Sequence, residues 1–243
     1  MPQPSIAGSS ADFPLLGAAH LAILSAVLLL AAILALVQRR LRPSRRWPRV
    51  GLGAAILLDT LLWYVDLAWH GQLAFPGHLP LEFCDVTLWL MVMVLFTRSP
   101  ALFDLAYYGA LGGSSMALLT PNLWESFPSL STVQFFVAHG LVVSAALFLV
   151  WSGQARPRPG SPLRAMLFAN AWAALDGVFD ATFKTNYMYL RAKPASVSLL
   201  NFLGPWPWYI ASAEGVALVL FLLLYLPFLG TARKAAAETE SRR

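Results

Sequence analysis

Leu15–Arg49 reads LLGAAHLAILSAVLLLAAILALVQRRLRPSRRWPR. Its first 23 residues, Leu15–Val37, contain no Asp, Glu, Lys or Arg. At 1.5 Å per residue such a helix crosses the roughly 30 Å of a bilayer's hydrocarbon core. Residues 38–49 then hold six arginines. A long apolar run closed by a basic loop is the pattern of a spanning helix and its stop. No basic residue precedes the run and it is too long for a signal-peptide core, so it is expected to stay as a helix.

Six further runs repeat this pattern: Val50–His70, Leu79–Thr97, Ala101–Leu119, Thr132–Trp151, Arg164–Phe183 and Trp206–Leu229. The composition agrees, with 58% hydrophobic and 12% charged residues and a mean hydropathy of +0.63. Soluble domains carry about 25% charge, and a globule this apolar lacks the polar surface to cover itself. The expected fold is therefore all-α, a bundle of seven transmembrane helices over residues 15–229. Residues 1–14 and 230–243 are expected as flanking segments outside the bundle.

The net charge of +5 is distributed by loop. Fourteen of the 17 basic residues fall in the 38–49 loop, at Arg98, at Arg156, Arg158 and Arg164, and in the tail. The alternate loops hold Lys184, Arg191 and Lys193. The positive-inside rule then predicts a cytoplasmic C-terminus, an outside N-terminus and a multi-pass place in a cell membrane, for a bacterial chain the inner one. No G-x-G-x-x-G, Walker A or basic–aromatic stripe occurs, so neither a nucleic-acid partner nor a cofactor is expected.

Eight of the 12 acidic residues fall inside the predicted spans: Asp59, Asp66, Glu82, Asp85, Asp104, Asp176, Asp180 and Glu214. A carboxylate at a helix centre costs about 2.5–3.5 kcal/mol even on a lenient scale, so each is expected to face the bundle interior. Most of them, with His20, His70, His78, His139 and Cys84, lie toward the predicted outer ends, which implies one polar cavity opening there. His78, Glu82 and Asp85 recur at i, i+4 and i+7, the spacing of one helical face. Asp176, Asp180 and Lys184 share another, and Asp180 with Lys184 reads as an i,i+4 ion pair.

Cys84 is the single cysteine. Burial disfavours a thiolate, and a neighbouring imidazole such as His139 would relieve this by accepting the proton. A buried, inert thiol is the plainer expectation. The Gly112-Gly113-Ser114-Ser115 run is no nucleophile elbow, and the spacing of Gly109 and Gly113 suits close helix packing. His20, His70, His78 and His139 with Asp66 would be the donors of a zinc site, but no pair has a ligand spacing, and no metal is assigned.

Ordered blocks carry a resemblance: His78-x-Pro80 with Phe83-Cys84-Asp85; Tyr107-Tyr108-Gly109 and Ala117–Pro121; Phe135-Phe136 with His139; Thr185–Met188; Lys193-Pro194 with Ser198–Leu200; Gly204–Tyr209; and Leu224–Phe228. With these the chain resembles the YwaF-like family of bacterial integral membrane proteins, related to a eukaryotic transmembrane family proposed to be lipid acyltransferases. The resemblance implies Cys84 as acyl-accepting nucleophile and His139 as its base. The expectation that follows is acyl transfer on a phospholipid or lysophospholipid. Glu82, Asp85, His78 and Asn186 are expected in support, and Lys184, Tyr187, Lys193 and Trp206 at the substrate. A proton-coupled permease using the intramembrane carboxylates, and a zinc-dependent membrane hydrolase, are the alternatives.

Overall fold

The computed structural model describes residues 13–41, 46–123, 125–194 and 198–230. Most of the two expected flanking segments lies outside them. Every regular element among the described residues is helical: α1 (Ala18–Arg40), α2 (Trp47–Trp69), α3 (Phe83–Thr97), α4 (Pro100–Tyr108), α5 (Ser115–Leu119), α6 (Leu130–Trp151), α7 (Ser161–Phe183) and α8 (Trp208–Tyr225). A π-helical segment, Gly109–Ser114, joins α4 to α5 without a break, so the eight α-segments form seven rods. Four of these are long and apolar enough to cross a membrane: α1, α2, α6 and the stretch Trp208–Phe228.

The core lies where α3, α4 and α6 meet. Met91, Leu95, Tyr108, Ala145, Ala146 and Phe148 are fully buried there. The outside is apolar too: Leu28, Leu29, Ile33, Leu36, Leu58, Leu61, Leu167 and Val178 are each more than half exposed. Such a continuous apolar surface is unusual on a soluble monomer and ordinary against lipid.

Local sequence sets the helix ends. Ser99 caps α4 through Leu102 N (3.4 Å), ahead of Pro100 in the first turn. Ser129 and Thr132 form a capping box on α6. The third helix corrects the sequence reading. It begins at Phe83, not Leu79, and Glu82 is its N-cap with extended backbone. Pro80 has no N–H and pushes Leu79 out of helical geometry. His78 therefore lies outside the helix, and His78, Glu82 and Asp85 do not share a helical face.

The rods are clamped at the arginine-rich end. The Asp104 carboxylate is fully buried and accepts from Arg158 N (2.9 Å), Arg158 Nε (2.8 Å) and Arg164 Nη2 (2.8 Å). Tyr108 and Ser161 share a hydrogen bond of 2.7 Å. Arg49 donates to the Leu95 carbonyl and Arg39 to that of Trp151. These arginines of the 38–49 run are thus helix-to-helix ties. Arg42 and Arg45 lie outside the described residues.

Candidate functional site

The opposite end of the bundle gathers the unusual chemistry. Cys84 sits half-buried in the first turn of α3, where unpaired backbone N–H groups favour negative charge. Asp85 follows in the same turn. Trp172 of α7 donates from Nε1 to Leu81 O (2.9 Å), holding the segment before α3 against α7. Glu82, Asp85, Asp176 and Asp180 lie within electrostatic reach of one another. Asp176 and Asp180 are buried, and one oxygen of each, Oδ2, has no hydrogen-bond partner.

The loop after α7 is laced onto this cluster. Lys184 ends the helix in left-handed geometry (φ 61°). Its Nζ donates to Ala181 O (3.2 Å), and the expected Asp180–Lys184 ion pair is not formed. The turned backbone instead presents Thr185 Oγ1 (2.6 Å) and Tyr187 N (3.0 Å) to Asp180 Oδ1. Met188 N donates to Glu82 Oε2 (2.9 Å). Tyr187 is buried and its hydroxyl joins the Pro76 carbonyl (2.7 Å) to Leu79 N (3.2 Å). Met188 and Tyr189 both have positive φ, 51° and 55°. Two successive non-glycine residues in that region cost about 1–2 kcal/mol each and persist only where the surroundings hold them.

Asn122 Nδ2 donates to the Tyr189 hydroxyl (3.0 Å), and the Tyr209 hydroxyl donates to the Tyr189 carbonyl. Burial pushes the Tyr189 phenol above its usual range. Asn122 acts the other way, and Glu82 and the Cys84 thiol add to the rise. Burial likewise raises Tyr187, against its bond to Leu79 and with Glu82, Asp85 and Asp180 adding.

His139 projects from α6, which packs directly on α3. Its Nδ1 bonds the Phe135 carbonyl at 2.7 Å. A carbonyl only accepts, so Nδ1 carries the hydrogen, and in the neutral ring Nε2 keeps its lone pair. That is the tautomer of a general base. No hydrogen bond joins Nε2 to the Cys84 sulfur. The electrostatic neighbours of that sulfur are Asp85 and Glu82.

The other sequence candidates fall in different places. Asn186 closes its own loop, accepting from Arg191 N (2.9 Å) and Ala192 N (3.0 Å) and donating to Ala192 O (2.9 Å). Lys193 Nζ stands 5.2 Å from the centre of the Tyr209 ring. Trp206 Nε1 donates to Leu190 O (3.1 Å). His78 Nδ1 takes a long bond of 3.4 Å from Ala74 N. Tyr189 is the residue that sequence reading passed over. Its partners are 67 and 20 positions away, and no local pattern marks it.

The expected single cavity is not what the polar residues build. His20 is a structural clasp, taking Leu16 N on Nδ1 (2.9 Å) and meeting Leu118 O with Nε2 (2.7 Å). Asp59 and Asp66 line a lateral groove of about 390 Å³ between α2 and α6, bonded to Gln134 (3.3 Å) and His70 (3.2 Å). Glu214 borders a separate depression beside Pro207 and Trp208. Neither Cys84 nor His139 lines either hollow. Among the described residues no three His, Cys, Asp or Glu side chains stand close enough to hold a metal ion.

Comparison with known proteins gives the chain its relatives. It is 26% identical over 215 residues to an uncharacterised protein of Treponema pallidum (strain Nichols), a match covering 87% of this chain and 88% of that one. No solved structure matches. The model of the TMEM164 family matches residues 15–225, nearly the whole helical bundle, and the chain belongs to that family.

Proposed function

We propose that this protein is a membrane-embedded lipid acyltransferase with Cys84 as its nucleophile. All seven rods span the membrane in this reading. The arginine-rich end faces the cytoplasm, and Cys84 opens toward the outer leaflet of a bacterial inner membrane. One observation carries it: the chain's single thiol stands in the first turn of α3, under a strained loop tied to the Glu82 beside it. A strained, over-determined backbone beside a helix N-terminus is a recurrent setting for a reactive group.

In the reaction, Sγ attacks the ester carbonyl of a phospholipid and forms a thioester. His139 Nε2 takes the thiol proton and returns it to the leaving lysolipid oxygen. A second lysolipid or alcohol then accepts the acyl group. Hydrogen bonds of this kind often tighten only when substrate is bound, and the reading requires the bound ester to bring Sγ and Nε2 within reach of one proton. Lys193 and Lys184, at the same end, suit a phosphate headgroup as point charges. The acidic cluster shapes the loop above the thiol through Glu82 and Asp180. Asn186 supports by fixing the turn of that loop.

Incubation of the purified protein with phospholipid vesicles should place an acyl mass on Cys84. Cys84→Ala should reduce transfer to the uncatalysed level, and His139→Gln should slow adduct formation by about 10²–10⁴-fold, the usual scale of a general base. An unmodified Cys84 together with an active Cys84→Ala variant would refute the assignment. The buried, unpartnered Oδ2 atoms of Asp176 and Asp180 favour a second reading, a proton-coupled permease. That protein would tolerate Cys84→Ala and lose transport with Asp176→Asn or Asp180→Asn.

A further inference from the structure

One face of α2 carries chemistry that acyl transfer does not use. Asp59, Leu62, Trp63 and Asp66 stand at i, i+3, i+4 and i+7, the spacing of neighbours on a helix. Across from them α6 offers Val133 and Gln134. The two faces wall the lateral groove of about 390 Å³, a size ordinary for a small-molecule site. Leu62 and Val133 are exposed. Both helices are long and apolar enough to span, so the groove opens sideways toward lipid.

The groove carries negative charge without a matching cation. Asp59 lies 12 residues after the first residue of α2 and 10 before the last, the depth at which a carboxylate is most costly. Its one hydrogen bond among the described residues comes from Gln134 Nε2 at 3.3 Å, a long contact from a neutral amide. Asp66 meets His70 Nδ1 at 3.2 Å, and the same nitrogen bonds the Asp66 carbonyl at 3.0 Å. A carbonyl only accepts, so Nδ1 carries its hydrogen in the neutral ring too, and the contact needs no charge on His70. No Lys or Arg is among the described residues that line the groove. Trp63 stands between the carboxylates, about 6 Å along the axis from Asp59 and about 4.5 Å from Asp66.

An indole face attracts a cation through its π electrons, and a cation set on Trp63 has a carboxylate on either side. A phosphate brought to the same place meets two carboxylates and no basic side chain. We propose that the α2–α6 groove binds a net-cationic amphiphile drawn from the bilayer. Its ammonium is held at Trp63 between Asp59 and Asp66, and its hydrocarbon chain leaves past Leu62 and Val133 into lipid. Charge complementarity selects this occupant over a zwitterionic phospholipid, whose phosphate finds no partner. Neither Cys84 nor His139 lines the groove, so the site stands whether or not the thiol is acylated.

The test uses the full chain in maltoside micelles, with native mass spectrometry counting bound dodecyltrimethylammonium and dodecylphosphocholine. The wild-type chain should hold the ammonium probe about tenfold more tightly than the phosphocholine. Asp59→Asn keeps the shape and an acceptor for Gln134, and should weaken the ammonium probe by about tenfold. Trp63→Leu should weaken it by about three- to tenfold. Glu214→Gln alters a carboxylate outside the groove and should change it by less than about twofold. Undiminished binding by Asp59→Asn, or an equal loss with Glu214→Gln, would overturn the proposal, because the cation would then gather on the surface as a whole. Val133→Lys brings a tethered ammonium into the groove from α6 without touching either carboxylate. It should expel the probe while the thermal melt shows the chain folded, and it decides the matter if Asp59→Asn fails to fold. Full binding by a folded Val133→Lys would refute the site. Preference for the phosphocholine would make the occupant a zwitterionic lipid, and indifference to both probes would leave the groove to a partner's helix. Either result also overturns the proposal.

Discussion

The two ends of the bundle each bury carboxylates and treat them oppositely. At the arginine-rich end, Asp104 receives three charge-assisted or backbone bonds and leaves nothing open. At the other end, Asp176 and Asp180 are just as buried, yet each keeps an oxygen without a partner. Asp104 sits on α4 beside the start of α7. The second cluster sits beside a thiol and two left-handed residues. Satisfied polar groups fix one arrangement of helices, and unsatisfied ones raise its free energy. The arginine-rich end is therefore the more fully satisfied of the two.

Four substitutions would break or sharpen that contrast. The largest expected loss is Asp104→Ala, which strips Arg158 and Arg164 of their shared partner. Both guanidinium groups are close to half exposed and can turn toward water. The cost should thus be about 2–3 kcal/mol, below the ~3–5 kcal/mol of a fully buried pair. Unfolding in detergent followed by tryptophan fluorescence would read it. A change under about 0.5 kcal/mol would show that the clamp is not structural.

Next comes Gly112→Ala. A Cβ there would lie 2.9 Å from the Phe221 ring, so about 1–2 kcal/mol of overpacking is expected. Gly113→Ala meets nothing within 4 Å and should be neutral or slightly stabilising. The same melt on both variants separates the two outcomes, and a reversed order would refute the close approach of Phe221 of α8 to Gly112. A small effect is also expected at Asp176→Asn. With Oδ2 unpartnered, removal of the charge should cost under about 1 kcal/mol or stabilise the fold. A loss as large as that of Asp104→Ala would mean that the Asp176 charge holds its end of the bundle as firmly as Asp104 holds the other.

The helical bundle was legible in the sequence because it rests on local signals: run length, hydropathy and arginine-rich breaks. The four helices long enough to span coincide with four of the seven predicted runs. Glycine packing was half legible. Gly109 does abut Thr87 of α3, but Gly113 has nothing within 4 Å, and the other close approach is made by Gly112, on Phe221 of α8. Helix three failed at its start because the face shared by His78, Glu82 and Asp85 was drawn through Pro80. The site was legible only in part. Cys84 and His139 could be picked by residue type. The loop that Glu82 and Asp180 hold could not, since Met188 reaches Glu82 across 106 positions and no periodicity records such a contact.

The π-helical stretch within the fourth rod has a geometric consequence. In an unbroken α-helix, positions 107 and 118 would stand about 20° apart around the axis and face one neighbour. Here Tyr107 donates to Leu224 O near the end of α8 (3.0 Å), and the Leu118 carbonyl meets His20 of α1 (2.7 Å). The widened turn lets a single rod serve two helices on different sides. Deleting one residue from it would swing the far half round by about 100° and turn Leu118 away from His20.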